Sequence, residues 1–176
     1  MNLEKSTKHH GGRHTGREDL AGEHKRGDAG QLILLLVFLI VWIPDSFFLH
    51  RTDFLSEKTA WYFHALPGLI LLSLAGYLSW AGMRTVFGKV RETPQVITKG
   101  VFSLVRHPIY LGCILTYLGL ISLTLSLLSL ALWMIIVPFY WYISKFEEKV
   151  LIARFGREYE QYMEKVPMLF PVRFGK

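Results

Sequence analysis

Two apolar runs, residues 30–49 and 60–83, are too long and too poor in charge to be hidden in an ordinary soluble core. A helix needs about 20 apolar residues to cross the hydrocarbon layer of a bilayer, and both runs reach that length. Two shorter apolar segments follow, residues 108–124 and 127–144, with only Leu125 and Ser126 between them. So brief a connection makes them a tight antiparallel helical hairpin. Each is near the lower length limit for a span, so the hairpin can stop short of crossing the whole layer. The expected fold is an all-α integral membrane protein with about four transmembrane helices, the hairpin included.

The charges lie between these runs. Six lysines and arginines precede Gly30, five lie within residues 84–106, and seven follow Ser144. The loop at residues 50–59 has only Arg51 and Lys58, and the hairpin tip has none. Basic residues favour the cytoplasmic side, so four spans with both termini cytoplasmic put 18 of the 20 there. That topology accounts for the net charge of +6 without nucleic acid, and nothing in the chain resembles a nucleic-acid reader. Expected partners are the membrane and a lipophilic small-molecule or lipid substrate.

Residues 1–29 are polar, without helical periodicity, and read as a disordered cytoplasmic tail before a membrane domain at residues 30–176. His9, His10, His14 and His24 lie there without a carboxylate or cysteine at tight ligand spacing, so no metal site is expected. The single cysteine, Cys113, sits inside an apolar run and reads as a small membrane-embedded residue. Pro44 and Asp45 should end or kink the first span, and Pro67 should kink the second. Beyond Lys145, Leu151, Phe155, Tyr159, Tyr162 and Val166 mark one apolar face. They belong to one cytoplasmic interfacial helix, or to two short helices broken at Gly156.

Polar residues that could carry chemistry cluster where the hairpin meets the cytoplasm. Arg106-His107-Pro108-Ile109-Tyr110 opens the third segment, and Glu147-Glu148 follows the fourth. An antiparallel hairpin returns both groups to the same face. Singly, each has a bland reading: Pro108 suits a first helical turn, Arg106 can snorkel, and the glutamates can be solvated charges.

The stretch from Thr98 to Pro171 resembles the isoprenylcysteine carboxyl methyltransferase family, with its phospholipid methyltransferase relatives. The ordered pattern is Thr98 to Phe102, Arg106 to Gly112, Glu147-Glu148, Phe155-Gly156, Glu158-Tyr159, Tyr162 and Val166-Pro167. The resemblance implies S-adenosylmethionine-dependent methyl transfer at the cytoplasmic membrane face. It also implies a cofactor pocket formed by Gln95, Val96, Ile97, Phe102, His107, Pro108, Ile109, Tyr110 and Glu147. Carboxylates suit the ammonium of that cofactor, and Arg106 or His107 its carboxylate. Arg106, His107 and Glu148 are the candidate catalytic residues. His107 is the candidate base for an acceptor that must lose a proton.

One departure bears on the acceptor. Where the prenylcysteine enzymes carry an arginine four residues before the first glutamate, this chain has Ile143. The acceptor can be an isoprenylcysteine-like carboxylate, a lipid amine or a thiol. Competing readings are a non-catalytic membrane scaffold that keeps the fold, and a sterol-reductase-like nicotinamide enzyme.

Overall fold

A computed structural model describes residues 25–88 and 95–171 of the chain. Six α-helices carry the described residues, and no strand is found among them. Helix α1 spans Lys25–Pro44 and runs into a π-helical turn at Asp45–Leu49. The short α2 (Phe54–Lys58) precedes α3 (Trp61–Phe87). A 3₁₀ turn at Gly100–Ser103 leads to α4 (Pro108–Thr124), α5 (Leu127–Phe155) and α6 (Arg157–Lys165).

Three helical segments are long and apolar enough to cross a membrane: Ala29–Leu49, Trp61–Phe87 and Leu127–Phe155. Helix α4 is apolar but has only 17 residues, a length of about 26 Å at 1.5 Å per residue. That falls just short of the roughly 30 Å hydrocarbon layer, so the expectation of four spans meets three helices of full length.

Several expected boundaries shift. Helix α1 begins at Lys25 rather than Gly30, while the remainder of the expected tail, residues 1–24, lies outside the described residues. The loop at 50–59 contains α2, and α3 continues past Met83 to Phe87 without a break at Pro67. The hairpin turn does consist of Leu125 and Ser126. Leu125 closes α4 in the left-handed conformation (φ 53°), and the Ser126 hydroxyl caps α5 by accepting from Ser129 N–H. Helix α5 does not stop near Ser144 but runs on to Phe155, adding three turns beyond the apolar segment. The chain then breaks at Gly156, whose φ of 54° and ψ of −129° suit glycine and few other residues. Of the two arrangements left open for the last segment, the broken one is found, with its first half belonging to α5.

Side-chain contacts fix how the helices run. Near the end of α1, Trp42 Nε1 and the Ser46 hydroxyl each donate to Thr124 Oγ1 at 3.0 Å. At the start of α3, His64 Nδ1 donates to the Leu123 carbonyl at 2.9 Å and the Ser122 hydroxyl donates to the His64 carbonyl at 2.9 Å. Gly82, near the end of α3, meets Ile109 at the start of α4. Thus α1 runs parallel to α4, while α3 and α5 run against it. The ends of α1 and α4 and the starts of α3 and α5 share one face of the bundle.

That face is closed by a polar knot. Asp45 is only 3% exposed, and its carboxylate accepts from the hydroxyls of Thr52 and Ser126, the latter at 2.6 Å. The Thr52 hydroxyl and carbonyl in turn accept from the backbone N–H groups of Leu128 and Leu127. A buried carboxylate is tolerated only with such donors around it, and here they come from Thr52 and from Ser126 at the hairpin tip.

Helix α3 packs most extensively on α4. The contact depends on small residues at heptad spacing: Gly68, Ala75 and Gly82 on α3 face Gly112 and Gly119 on α4. A β-carbon on Gly112 would stand 2.3 Å from Ser79 Oγ and 3.0 Å from the Ala75 carbonyl oxygen. Close backbone approach of this kind is how helices associate where no hydrophobic effect separates them from lipid. The opposite side of α4 buries Ile114, Tyr117 and Ile121 against Phe38 of α1 and Ile136 and Tyr140 of α5. Gly112→Val should therefore destabilise the detergent-solubilised protein by about 1–3 kcal/mol through overpacking. Gly76→Ala, where a β-carbon meets nothing within 4 Å, should be neutral or stabilising by up to about 1 kcal/mol. Denaturation titrations of both variants would check the contrast.

Candidate functional site

The mismatch in length between α4 and α5 builds the site. Because α5 is 29 residues long and α4 only 17, the end of α5 overshoots the start of α4. Glu147 and Glu148 sit on that overshoot and face the two residues just before α4, Arg106 and His107. Pro108 takes the first helical position, where its missing N–H costs nothing, and His107 stands at the cap.

Arg106 is a structural clasp. Its Nε donates to Glu148 Oε1 at 2.7 Å, and Nη2 lies 2.6 Å from the same oxygen. Its Nη1 donates to the carbonyls of Met163 (2.8 Å) and Val166 (2.7 Å), groups that the end of α6 leaves open. The backbone N–H groups of Arg106 and His107 donate to the carbonyls of Pro167 and Met168. One residue thereby binds α5, the end of α6 and the segment beyond it. The Arg106 and Glu148 side chains are only 8% and 3% exposed.

His107 lies between the two glutamates. Its Nδ1 is 3.4 Å from Glu147 Oε2, and its Nε2 is 3.5 Å from Glu148 Oε1. Burial opposes its charging, but hydrogen bonding and the negative charges of Glu147 and Glu148 outweigh burial and hold its pKa above the ordinary imidazole value. A protonated imidazole has no lone pair with which to take a proton. That shift favours the imidazolium, a cation between two carboxylates, over the general base expected for His107. Its ring stacks on Tyr110, with centroids 5.6 Å apart and planes 5° from parallel. The Tyr110 hydroxyl donates to Glu147 Oε1 at 2.5 Å. Two buried atoms of this cluster, His107 Nε2 and Glu148 Oε2, lack a hydrogen-bond partner.

The other expected residues divide. The Phe102 carbonyl accepts from the Tyr162 hydroxyl at 2.6 Å, and the Phe102 side chain packs on the core of Leu78, Val101, Val105 and Leu111. Pro108 is fully buried, and Ile109 packs on Gly82 of α3, so these two serve the helix seam. Gln95, Val96 and Ile97 lie in extended backbone before the 3₁₀ turn, and no described hydrogen bond joins them to the cluster. Ile143 is buried, and Lys145 is held 3.8 Å from Glu148 Oε2 with its ammonium over the Trp141 ring. Neither presents a guanidinium-like grip for a carboxylate.

Sequence reasoning missed two features. The first is the docking of Met163 to Met168 on Arg106 and His107, which uses backbone carbonyls and leaves no side-chain signal. The second is a groove of about 440 Å³ lined by Gln31, Leu32 and Leu35 of α1, Cys113, Thr116 and Tyr117 of α4, and Tyr140 of α5. A signal for it existed in the spacing of Tyr110, Cys113 and Tyr117, which share one face of a helix.

Removing the guanidinium would leave Glu148 charged and buried. Arg106→Leu should cost about 3–5 kcal/mol and loosen the C-terminal segment, which limited proteolysis and denaturant titration would detect. The raised pKa of His107 makes its contribution to stability complete below the unfolded value of about 6.5, and lost as pH rises through the folded value. The melting temperature should fall across that window in the wild type, and His107→Gln should flatten the dependence.

The family profile for phospholipid methyltransferase matches residues 64–158, from the start of α3 into α6. Methanethiol S-methyltransferase 2 of Bradyrhizobium diazoefficiens is 30% identical over 156 residues, covering 82% of this chain and 58% of that protein. Methanethiol S-methyltransferase 1 of the same organism is 37% identical over 87 residues, covering 49% and 30%. Methanethiol S-methyltransferase of Crocosphaera subtropica is 32% identical over 149 residues, covering 80% and 57%. The chain thus spans a little over half the length of the two relatives it matches most fully. No solved structure matches it. With more than half of its residues in the matched region, the chain belongs to the phospholipid methyltransferase family.

Proposed function

We propose that this protein is an S-adenosylmethionine-dependent methyltransferase of the membrane, with a thiol as its acceptor. The observation that carries the reading is the buried Arg106–His107–Glu147–Glu148 cluster, overall neutral yet with two orphaned polar atoms, at the basic end of an apolar bundle. Burying four ionisable side chains is costly, and orphaned atoms among them raise that cost unless a ligand meets them.

The cluster fits the expected methyl donor. Glu148 Oε2 and the more accessible Glu147 offer negative charge to its ammonium, and Phe102 and the His107–Tyr110 stack offer flat faces to its adenine or sulfonium. When bound, that group would supply an electrophilic methyl on a cationic sulfur. What the chain itself supplies is alignment and a dry site. Arg106 acts as a positioning residue, since its charge is spent on Glu148 and on the C-terminal carbonyls.

The acceptor follows from two supports. The relatives named above are methanethiol S-methyltransferases, and the groove beside the cluster is lined mainly by apolar side chains. A prenylcysteine carboxylate is disfavoured because Ile143 is buried in the place where an arginine would grip it.

The same reading places the protein in a bilayer with four spans and both termini cytoplasmic. Helix α4 is paired along its whole length with α3 and bounded by residues that mark both faces of the bundle, so its shortness is made up by local thinning of the bilayer. The basic residues before α1, between α3 and α4, and after α5 then share the cytoplasmic face. Helix α6 lies at that interface, with Tyr159 and Tyr162 turned inward.

Calorimetric titration of the detergent-purified protein with S-adenosylhomocysteine tests the assignment. Micromolar binding is expected, weakened at least about ten-fold in Glu147→Ala, a loss of the size expected for one charge-assisted contact. No binding by wild-type protein with a cooperative melt would overturn it and leave a non-catalytic scaffold in front.

A further inference from the structure

We infer that the groove between α1, α4 and α5 is the acceptor site for a neutral alkanethiol, and that the thiol proton leaves through the Tyr110 hydroxyl to Glu147. This rests on the methyltransferase reading above and adds the place of the acceptor and the route of its proton.

The groove lies next to the cluster, not within it. Its floor is Cys113, Thr116, Tyr117 and Tyr140, with the rings of Tyr117 and Tyr140 6.5 Å apart. Its other wall, Leu32 and Leu35, is open to the surroundings at 57% and 38% exposure, so an apolar molecule can enter sideways from a bilayer. Among the described residues no charged side chain lines it.

Tyr110 joins the two sites. Its ring lies 5.6 Å from that of Tyr140 in the groove wall, and its hydroxyl is already bonded to Glu147. Cys113 and Tyr117 follow on the same face of α4, about 4.5 and 10 Å further along its axis. The groups facing Glu147 are accounted for: His107 and Tyr110 from the start of α4, Arg106 beyond Glu148, Lys145 and Glu148 on its own helix, and Tyr159 of α6, which feels its charge. The Tyr110 hydroxyl already donates to Glu147 while Arg106 is committed to Glu148, so Glu147 is the acceptor in line. It is also partly exposed and can pass the proton to water.

A thiol is a poor nucleophile until it becomes a thiolate. In the proposed step the S–H bond breaks and its proton moves to the Tyr110 hydroxyl oxygen as the Tyr110 proton moves to Glu147. The sulfur pair forms the new S–CH₃ bond. The bond from that methyl to the sulfonium donor breaks with its electrons kept by the donor sulfur, which becomes a neutral thioether. One thiol and one sulfonium give two thioethers and one proton.

The test compares wild type, Tyr110→Phe and Leu35→Trp on an alkanethiol and on an arylthiol, which is largely ionised at neutral pH. Tyr110→Phe keeps the ring, so its melting temperature should be little changed and its S-adenosylhomocysteine affinity should stay within about two-fold of wild type. Its kcat on the alkanethiol should fall about 100-fold at neutral pH, the scale of general acid–base catalysis, and recover as pH rises. Its loss on the arylthiol should be under about three-fold. Leu35→Trp should raise KM for both thiols while leaving S-adenosylhomocysteine affinity unchanged. Equal losses on both thiols in Tyr110→Phe would overturn the proton route, and an unchanged KM in Leu35→Trp would overturn the groove. A wild type that binds S-adenosylhomocysteine yet methylates neither thiol would remove the thiol acceptor itself.

Discussion

The Arg106–Glu148 pair is the interaction on which the rest of its end of the bundle depends. A buried ion pair is weak evidence of net stability, because desolvation consumes most of the attraction. Its value here is geometric. A guanidinium presents a rigid planar fork, and this one points one edge at Glu148 on α5 and the other at two carbonyls at the end of α6. No lysine could hold three segments at once. The C-terminal segment then returns to cover His107, and Leu169 enters the core beside Tyr140 and Phe38.

The two ends of the bundle solve opposite problems with similar materials. At one end a single carboxylate, Asp45, is saturated by hydroxyls and tied to a turn of two residues. Every donor points inward, and the assembly is a closed knot. At the other end two carboxylates meet two cationic side chains, and the balance of charge is complete while the balance of hydrogen bonds is not. The closed end keeps the helices in register. The unsatisfied end, beside a groove, is where a ligand gains most by binding.

The family assignment and the geometry constrain each other. A methyl transfer needs little covalent help from a protein, since the leaving group is already a cation; alignment and exclusion of water do most of the work. A rigid cluster packed between helices suits that task better than a mobile loop would. The His107 ring stands between the two adjacent carboxylates, which raise its pKa and so favour a charge that offsets their repulsion.

Much of this was legible before any tertiary structure. Apolar length identified the helices, because hydrogen-bonding the backbone internally is the only way an uncharged segment of that length can sit in lipid. Leu125-Ser126 was readable as the hairpin turn because nothing longer separates the two apolar segments, and antiparallel return alone brings Glu147 and Glu148 near Arg106 and His107. Individual roles were not legible. Whether Arg106 meets a ligand or a partner depends on where Glu148 and the carbonyls of Met163 and Val166 lie in space, and carbonyls are carried by every residue. Whether His107 takes or keeps a proton depends on two carboxylates more than 35 residues away in the chain. The spacing of Tyr110, Cys113 and Tyr117 marks one wall of the groove, but the groove itself exists only where three helices meet on packing. Hydrophobic periodicity and length are local properties and belong to the sequence; charge state, pairing and cavity shape are set by distances between segments, and only the assembled bundle decides them.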